Sequence, residues 1–281
     1  MNTTSKYLIA NTIYGTISLF LHFIDASSEF VVLCRGSIGS LFIVLIMLLN
    51  KDYLDIISLK VNLKHLIISG AAFGFNWVAL FAGYRYGTMV TSLCNYTAPI
   101  IVTLISIIFL REKVSFKNII YILMSFTGIV LISGVIDSKA LVDVHCLIYG
   151  MLAALGFVIL VLENRKLKEI KPLDKTVTQL LISALVVLPY VFLNNGFPNS
   201  LNIKSLILVI IMGVIHTGLA YIFYFNSIDV LPISKVVILG YIEPVLSILI
   251  GIFIFKEKIT ILGIIGAILI IMAAILNELD S

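Results

Sequence analysis

Long apolar stretches dominate the chain and are separated only by short polar connections. Each stretch holds about 20 residues, the length at which an α-helix crosses the hydrocarbon core of a bilayer. The stretches cover residues 6–24, 29–49, 64–84, 88–110, 117–134, 145–163, 174–193, 204–225, 233–255 and 259–277. They are continuously apolar and do not alternate, which excludes a transmembrane β-barrel. The pattern predicts an all-α integral membrane protein with ten transmembrane helices.

The composition agrees with this class. Apolar residues make up 60% of the 281 residues and charged residues only 12%, against about 45–50% and about 25% in soluble domains. Such a chain has too few polar groups to form a water-facing surface. The formal net charge of +4 comes mostly from connecting lysines, so we expect a lipid bilayer and no nucleic acid as partner. The three cysteines lie far apart in apolar stretches and are predicted to be free.

The distribution of basic residues predicts the orientation. If the N-terminus lies inside, most of the 19 lysines and arginines, including Lys175, fall on cytoplasmic connections, as the positive-inside rule requires. The first stretch exceeds the apolar core of a signal peptide and no cleavage site follows it. We therefore expect a multi-pass protein of the cell (plasma or inner) membrane, with both termini in the cytoplasm.

An internal repeat relates two segments that lie 145 residues apart, 96–120 and 241–265. The matched positions are Tyr96 with Tyr241, Pro99 with Pro244, and Glu112–Lys113 with Glu257–Lys258. The repeat predicts two five-helix units, residues 6–134 and 145–277. Because five is odd, the two units must lie in the membrane with opposite orientation, an inverted repeat typical of alternating-access transport. A duplicated bundle without a transport role is the alternative.

The repeated segments YTAPIIVTLISIIFLREKVS and YIEPVLSILIGIFIFKEKIT resemble the drug/metabolite transporter (DMT) superfamily, and its EamA branch of tandem five-helix units is the most similar. FNWVALFAGYRYGTMVTSLCNYTAP also looks like the third and fourth helices of that family, so the resemblance covers essentially the whole chain. It implies ten helices, cytoplasmic termini and secondary transport of small metabolites, usually outward. The family is broad in substrate, so the resemblance implies a mechanism and no particular ligand.

Two prolines lie in the middle of predicted spans. Pro99 removes the helical hydrogen bond to the Asn95 carbonyl, and Pro244 removes the one to the Gly240 carbonyl. A free carbonyl at membrane depth is tolerated where a neighbouring group or a water-filled cavity satisfies it. We therefore expect both helix breaks to line a cavity near the bilayer midplane, although a kink that serves only packing would have the same signature.

Glu243 is the strongest candidate for a functional residue. Its repeat counterpart is Ala98, so the carboxylate breaks the internal symmetry, and a charge at that depth is costly. It can bind a substrate amine, carry the coupling proton, or do both in competition. The structural alternatives are an ion pair with Arg35 or a protonated, hydrogen-bonded core acid.

Arg35 is the one lysine or arginine clearly inside a predicted span. It can hold a substrate carboxylate or pair with Glu243. It can also extend outward toward Glu29 or Asp25, because long basic side chains reach for the interface.

The remaining candidates are aromatic or polar residues within spans. Trp77 lies too deep for an interfacial anchor and, with Asn76 beside it, is predicted to line the cavity. His216 can titrate near neutral pH or join two helices by a hydrogen bond. The predicted substrate-binding residues are Glu243, Trp77, Tyr96, Asn76, Tyr241, Arg35 and His216. Weaker candidates are Asn11, Tyr14, Asn95, Tyr221 and Tyr224.

Motifs for catalysis, metal binding and nucleotide binding are missing from the sequence. It has neither a phosphate-binding loop nor a hydrolase or zinc-protease motif, so we expect no enzyme and no cofactor. The predicted function is secondary active transport of a small zwitterionic or cationic metabolite, first of all an amino acid, as an exporter. An importer of a quaternary amine or similar nutrient is the main alternative, followed by a membrane-embedded enzyme or scaffold. The fifth and tenth helices can pack against lipid or against another protomer, so the sequence leaves a monomer and a homodimer as open alternatives.

Overall fold

The computed structural model describes residues 2–86, 88–109, 114–132, 135–136, 143–228, 230–254 and 260–280. The regular structure of these residues is helical throughout, with no strand among them, which confirms the all-α class. The repeated pairs Glu112–Lys113 and Glu257–Lys258 lie outside the described residues, as do residues 137–142 between the two predicted five-helix units.

Every predicted apolar stretch falls on one helix or on consecutive helices. In the first half these are α1 Thr3–Gly15, α2 Ile17–His22, α3 Ser28–Leu49, α4 Ile56–Tyr84, α5 Thr88–Asn95, α6 Ala98–Phe109 and α7 Phe116–Ile132. In the second half they are α8 Val144–Asn164, α9 Pro172–Leu193, α10 Ile203–Ile211, the π-helical segment Met212–Leu219, α11 Ala220–Ile228, α12 Ile233–Gly240, α13 Ile242–Phe253 and α14 Ile261–Leu279.

Seven helical segments of the described residues are long and apolar enough to cross a membrane. The other three predicted spans correspond to the pair α1–α2, which is interrupted at Thr16, and to the shorter apolar helices of α7 and α14. A helical membrane protein is therefore established, while the count of ten spans in two inverted halves stays a prediction.

Two details differ from the sequence prediction. α4 begins at Ile56, well before residue 64, because the Asp55 side chain caps it by accepting hydrogen bonds from the backbone N–H of Ile57 and Ser58. Lys175, predicted on a cytoplasmic connection, is 1% exposed, and its Nζ donates to the Phe225 carbonyl at 2.9 Å. The long lysine side chain reaches the C-terminal end of α11, where helix carbonyls lack partners.

Small residues let the helices approach closely. A Cβ added to Gly74 of α4 would lie 2.7 Å from the Ser183 carbonyl oxygen of α9, and one added to Gly128 of α7 would lie 2.6 Å from the Gly266 carbonyl oxygen of α14. These contacts agree with the packing role of small residues in membrane helices. The helices α7 and α14, which were expected to face lipid or another protomer, also pack against each other.

The two ends of the bundle are joined by different contacts. The N-terminal face, defined by the N-terminus and the connections 50–55 and 165–171, is linked by the hydrogen bond from Asn62 Nδ2 to the Lys168 carbonyl at 2.8 Å. The opposite face, defined by the connections 23–27 and 194–202, is linked by Ser27 Oγ donating to the Gly196 carbonyl at 2.7 Å.

Candidate substrate cavity

A cavity of about 450 Å³ is lined by residues of α1 to α6, α8 and α11 to α13. Its volume is in the range of small-molecule sites. Eleven of its 31 lining residues are aromatic. The aromatic side chains that line it are Tyr7, Tyr14, Phe73, Trp77, Phe81, Tyr84, Tyr96, Phe157, Tyr221, Tyr224 and Tyr241.

Ring contacts hold this wall together across helices. Tyr7 of α1 stacks on Tyr224 of α11 with ring centroids 5.5 Å apart, and Tyr14 lies 5.1 Å from Tyr221. Within α4, the rings of Phe73 and Trp77 lie 4.3 Å apart. Trp77 thus lines the cavity as predicted from its depth, and its neighbours restrict its motion.

Arg35 and Glu243 are the charged residues among those that line the cavity. They do not approach within the 4.0 Å of an ion pair, and Glu243 makes no hydrogen bond to any residue that the structure describes. The structural alternative of a direct Glu243–Arg35 pair is therefore not realised. Two opposite charges face one cavity without neutralising each other by contact.

Arg35 is held by its inner nitrogen. Nε donates to Thr217 Oγ1 at 3.1 Å, and the guanidinium carbon lies 5.9 Å from the centre of the Trp77 ring, within range of a cation–π contact. Glu29, one of the expected partners of Arg35, binds Arg85 instead at 3.0 Å. The two terminal nitrogens of Arg35 make no hydrogen bond within the described part of the chain, so they are available to a ligand.

Asn76 joins three helices at the cavity wall. Its Nδ2 donates to Asn95 Oδ1 at 3.0 Å and to the Ala153 carbonyl at 2.7 Å. Because both amide protons are used, its side-chain oxygen is the atom left to interact with a ligand. Asn76 thereby positions the end of α5, where the helix breaks.

The two predicted helix breaks contact each other. α5 ends at Asn95 and α6 begins at Ala98, while α12 and α13 are separated at Tyr241. The hydroxyl of Tyr241 donates to the Tyr96 carbonyl at 2.8 Å. The carbonyl that receives this hydrogen bond is therefore one residue beyond that of Asn95, which Pro99 was predicted to leave free. Pro99 lines the cavity and Pro244 is not among the lining residues.

Replacing Tyr241 by phenylalanine should lower the free energy of unfolding by about 0.5–1.5 kcal/mol, because the part-buried Tyr96 carbonyl loses its partner. Unfolding of the purified protein in a denaturing detergent measures this change. The matched control is Tyr53→Phe, since Tyr53 is 68% exposed. Equal unfolding free energies in the two variants would mean that the hydrogen bond contributes nothing to stability.

His216 lies outside the cavity, contrary to its prediction as a substrate-binding residue. The π-helical segment directs it toward the interruption between α1 and α2, where Nε2 lies 2.9 Å from Thr16 Oγ1. Its ring centroid lies 4.5 Å from that of Phe20. Thr16 already donates its hydroxyl proton to the Ile13 carbonyl, so His216 Nε2 carries the proton of the shared hydrogen bond. His216 thus joins two helices, which was the structural alternative.

The sequence interpretation missed Tyr7 and Ser18 and ranked Asn11 and Tyr14 low. These four residues follow one another at helical spacing along α1 and α2, and all line the cavity. A polar and aromatic stripe with this spacing on an otherwise apolar helix indicates a face turned toward a polar interior. The spacing was visible in the sequence and could have identified this wall.

The cavity is closed toward the N-terminal face. The lining residues there, such as Tyr7 and Ile233, are 2% exposed. Tyr7 Oη donates to the Val236 carbonyl at 2.8 Å, and Ser227 Oγ donates to the Thr3 carbonyl at 3.2 Å. These hydrogen bonds tie α1 to α11 and α12 beneath the cavity.

Toward the opposite face, the lining residues Leu21, Phe81 and Tyr84 are half-buried, so the cavity wall is more exposed at that end than at the N-terminal face. Arg85 and Glu29 form an ion pair at this end. The hydrogen bond to the Glu29 carboxylate raises the pKa of the Arg85 guanidinium, so this arginine stays charged.

Comparison with known proteins gives a consistent result. The sequence profile of the EamA-like transporter family matches residues 6–134 and again 145–279. A Bacillus subtilis (strain 168) protein named "Uncharacterized transporter YxxF" is 27% identical over 86% of this chain and 78% of its own length. "Protein PecM" of Dickeya dadantii (strain 3937) is 25% identical over 70% of this chain and 67% of its own length.

A solved crystal structure superimposes with a TM-score of 0.83 over 99% of this chain and 98% of its own chain. Its identity to this chain is 17%, so it supports the fold alone. The family profile covers nearly the whole sequence and matches each half separately. The chain belongs to the EamA-like transporter family and is a multi-pass membrane transporter.

Proposed function

We propose that the protein is a secondary active transporter that exports a small zwitterionic metabolite, an amino acid or a related amine, across the plasma membrane by alternating access. The observation that carries this proposal is the pair of opposite charges, Glu243 and Arg35, which face one aromatic cavity without contacting each other. A zwitterion satisfies both charges at once. In this reading Glu243 receives the ammonium group or the coupling proton, and Arg35 receives the carboxylate.

The architecture that we propose is two inverted five-helix repeats, residues 6–134 and 145–277, with ten spans and both termini in the cytoplasm. Two observations support it. The family profile matches both halves, and the equivalent residues Tyr96 and Tyr241 both lie at helix interruptions that border the cavity. Inverted repeats of this kind place the substrate site at their interface.

With this orientation, the more exposed end of the cavity faces the outside and the buried end faces the cytoplasm. The hydrogen bonds of Tyr7 and Ser227 beneath the cavity then form the inner seal, and they must break when the site turns toward the cytoplasm. Alternating access requires a seal on one side of the site at a time. The hydrogen bonds of Tyr7 and Ser227 support such a seal on the cytoplasmic side.

The test is counterflow in proteoliposomes with labelled amino acids, amines and nucleosides at two pH values. Counterflow requires only alternating access, so neither the direction nor the coupling ion needs to be known. We expect a saturable signal for amino acids. Saturable counterflow of nucleosides alone, or no counterflow from demonstrably folded protein, would contradict the proposal.

Import of a quaternary amine is the second candidate function, because an aromatic cavity with one carboxylate also suits a trimethylammonium group. The direction in which an imposed ion gradient drives substrate that starts at equal concentration on both sides separates an importer from an exporter. The two substrate classes differ in the group that Glu243 would receive, a primary ammonium in an amino acid or a trimethylammonium in a quaternary amine.

A further inference from the structure

We infer that two hydrogen-bonded amides in the cavity wall, the amide pair Asn76–Asn95, recognise a carboxamide side chain. The transported amino acid is then glutamine, asparagine or a relative whose side chain carries both a carbonyl oxygen and N–H donors. This inference rests on the proposed function, because it assumes that the cavity is the substrate site. It deepens that function by naming the class of side chain.

The hydrogen bonds of the amide pair fix the orientation of both amides. The Asn76 atom that faces the Ala153 carbonyl at 2.7 Å must be the nitrogen Nδ2, because a carbonyl can only accept. The same nitrogen lies 3.0 Å from Asn95, and the Asn95 atom there must be the oxygen Oδ1, because two N–H groups do not bond to each other. The atoms left over are Asn76 Oδ1, an acceptor, and Asn95 Nδ2, a donor.

Neither of these two atoms has a hydrogen-bond partner in the part of the chain that the structure describes. Both residues line the cavity, and neither atom belongs to the polar atoms that are fully enclosed without a partner, so both atoms keep accessible surface. Asn76 as a whole is only 4% exposed. Native structures seldom leave a buried amide oxygen unsatisfied, so this oxygen needs a donor that enters through the cavity.

Two glycines of α8 hold the amide pair in place. A Cβ added to Gly156 would lie 3.1 Å from Asn76 Cβ. A Cβ added to Gly150 would lie 2.5 Å from the Cβ of Cys94, which directly precedes Asn95. α8 therefore packs closely against α4 and α5 at the two asparagines. Selective binding requires such fixed positions, because loosely held groups would adapt to different ligands.

A carboxamide complements the amide pair atom for atom. Its N–H donates to Asn76 Oδ1, and its carbonyl oxygen accepts from Asn95 Nδ2. A side-chain carboxylate has no N–H, and an apolar side chain has neither group, so each would leave at least one of the two protein atoms without a partner. A site built to hydrogen-bond a substrate group strongly rejects analogues that lack it.

The charged groups of the same substrate remain for the two charged residues of the cavity. Arg35 and Glu243 line the cavity together with both asparagines. The Arg35 guanidinium carbon lies 5.9 Å from the centre of the ring of Trp77, the residue that follows Asn76. This contact brings the group that receives the substrate carboxylate close to the amide pair.

The experiment measures thermal stabilisation of the purified full-length protein by glutamine and asparagine, each beside two ligands of similar shape. The comparison ligands are glutamate and methionine for glutamine, and aspartate and leucine for asparagine. We expect the tighter of the two carboxamides to bind about 100-fold better than its apolar counterpart, with the acidic counterpart also weak. Equal or better binding of a comparison ligand in both series would overturn the inference.

The variant Asn95→Asp tests the exposed donor. It keeps an oxygen toward Asn76 Nδ2 and replaces the donor Nδ2 of Asn95 by a second oxygen. We expect the ratio of affinities for the carboxamide and its apolar counterpart to fall about 10-fold or more. The matched control is Asn199→Asp, since Asn199 is exposed and is not among the residues that line the cavity. In that variant the ratio should stay as it is in the unmodified protein.

A second variant removes the donor without adding a charge. Asn95→Ala should lower the same ratio about 5- to 10-fold, while the apolar ligand binds as before. An equal loss of affinity for both ligands would leave the ratio unchanged and would show that the amide pair only joins helices. An unchanged ratio in both Asn95 variants would overturn the inference.

Failure of the proposed function has a different result. The other common amino acids and their decarboxylated amines are measured in the same assay. If none of these ligands stabilises the folded protein, the cavity is not a site for amino acids or amines and both proposals fail. If amino acids bind without preference for a carboxamide, the proposed function stands and only the carboxamide inference fails.

Discussion

Replacing Glu243 by glutamine should reduce amino-acid counterflow about 100-fold or more. The substrate ammonium would lose its charged partner in a cavity shielded from water, where truncating one member of a charge pair costs several kcal/mol. If Glu243 also carries the coupling proton, an imposed pH gradient should no longer drive net flux, because glutamine cannot be protonated. Labelled uptake with and without the gradient measures both effects.

The matched control is Glu169→Gln, since Glu169 is exposed on the connection between α8 and α9 and is not among the residues that line the cavity. That variant should transport as the unmodified protein does. Wild-type counterflow and an unchanged response to the gradient in Glu243→Gln would remove Glu243 from the mechanism.

Replacing Arg35 by glutamine should change selectivity more than overall activity. Amino acids should bind about 10- to 100-fold more weakly, because the carboxylate loses a charge-assisted hydrogen bond. The corresponding decarboxylated amines should bind as before, since they never contact Arg35. The measurement is the ratio of affinities for each amino acid and its amine. An equal loss for both ligands would show that Arg35 supports the fold and does not bind the carboxylate.

Thr217 provides a graded version of the same test. Thr217→Val keeps the methyl group that packs near Gly39 and removes the hydroxyl that holds Arg35 Nε. We expect a smaller weakening of amino-acid binding, in the same direction, with full recovery in Thr217→Ser. If valine and serine behave alike, the hydroxyl does not position Arg35.

The helices were predictable because each membrane-spanning helix must contain enough apolar residues within its own stretch of sequence. A span must be apolar over about 20 residues wherever it lies in the fold, so composition along the chain locates it. α4 shows the limit of this reasoning. Its first turns, with Lys60, lie outside the predicted stretch 64–84, and the structure shows that the helix begins there because Asp55 caps it.

The helix interruptions were only partly predictable. Pro99 and Pro244 predicted the breaks near Tyr96 and Tyr241, because proline removes a backbone donor. The interruption at Thr16 and the π-helical segment around His216 contain no proline. They are held by contacts between distant elements, such as the hydrogen bond from His216 to Thr16 and the close approach of Gly213 to Ile38, and no local pattern encodes such contacts.

The sequence by itself determined that the chain is a helical membrane protein. It also identified Glu243 and Arg35 as candidate functional residues, because they are charged and lie within apolar spans. A charged side chain in an apolar span is costly whichever way it points, so it can be recognised from the sequence alone. Only the tertiary structure decided that the two charges face one cavity without pairing, that His216 lies behind its wall and that Lys175 is buried. Distances between side chains depend on how helices cross, and residues far apart in the chain set those crossings.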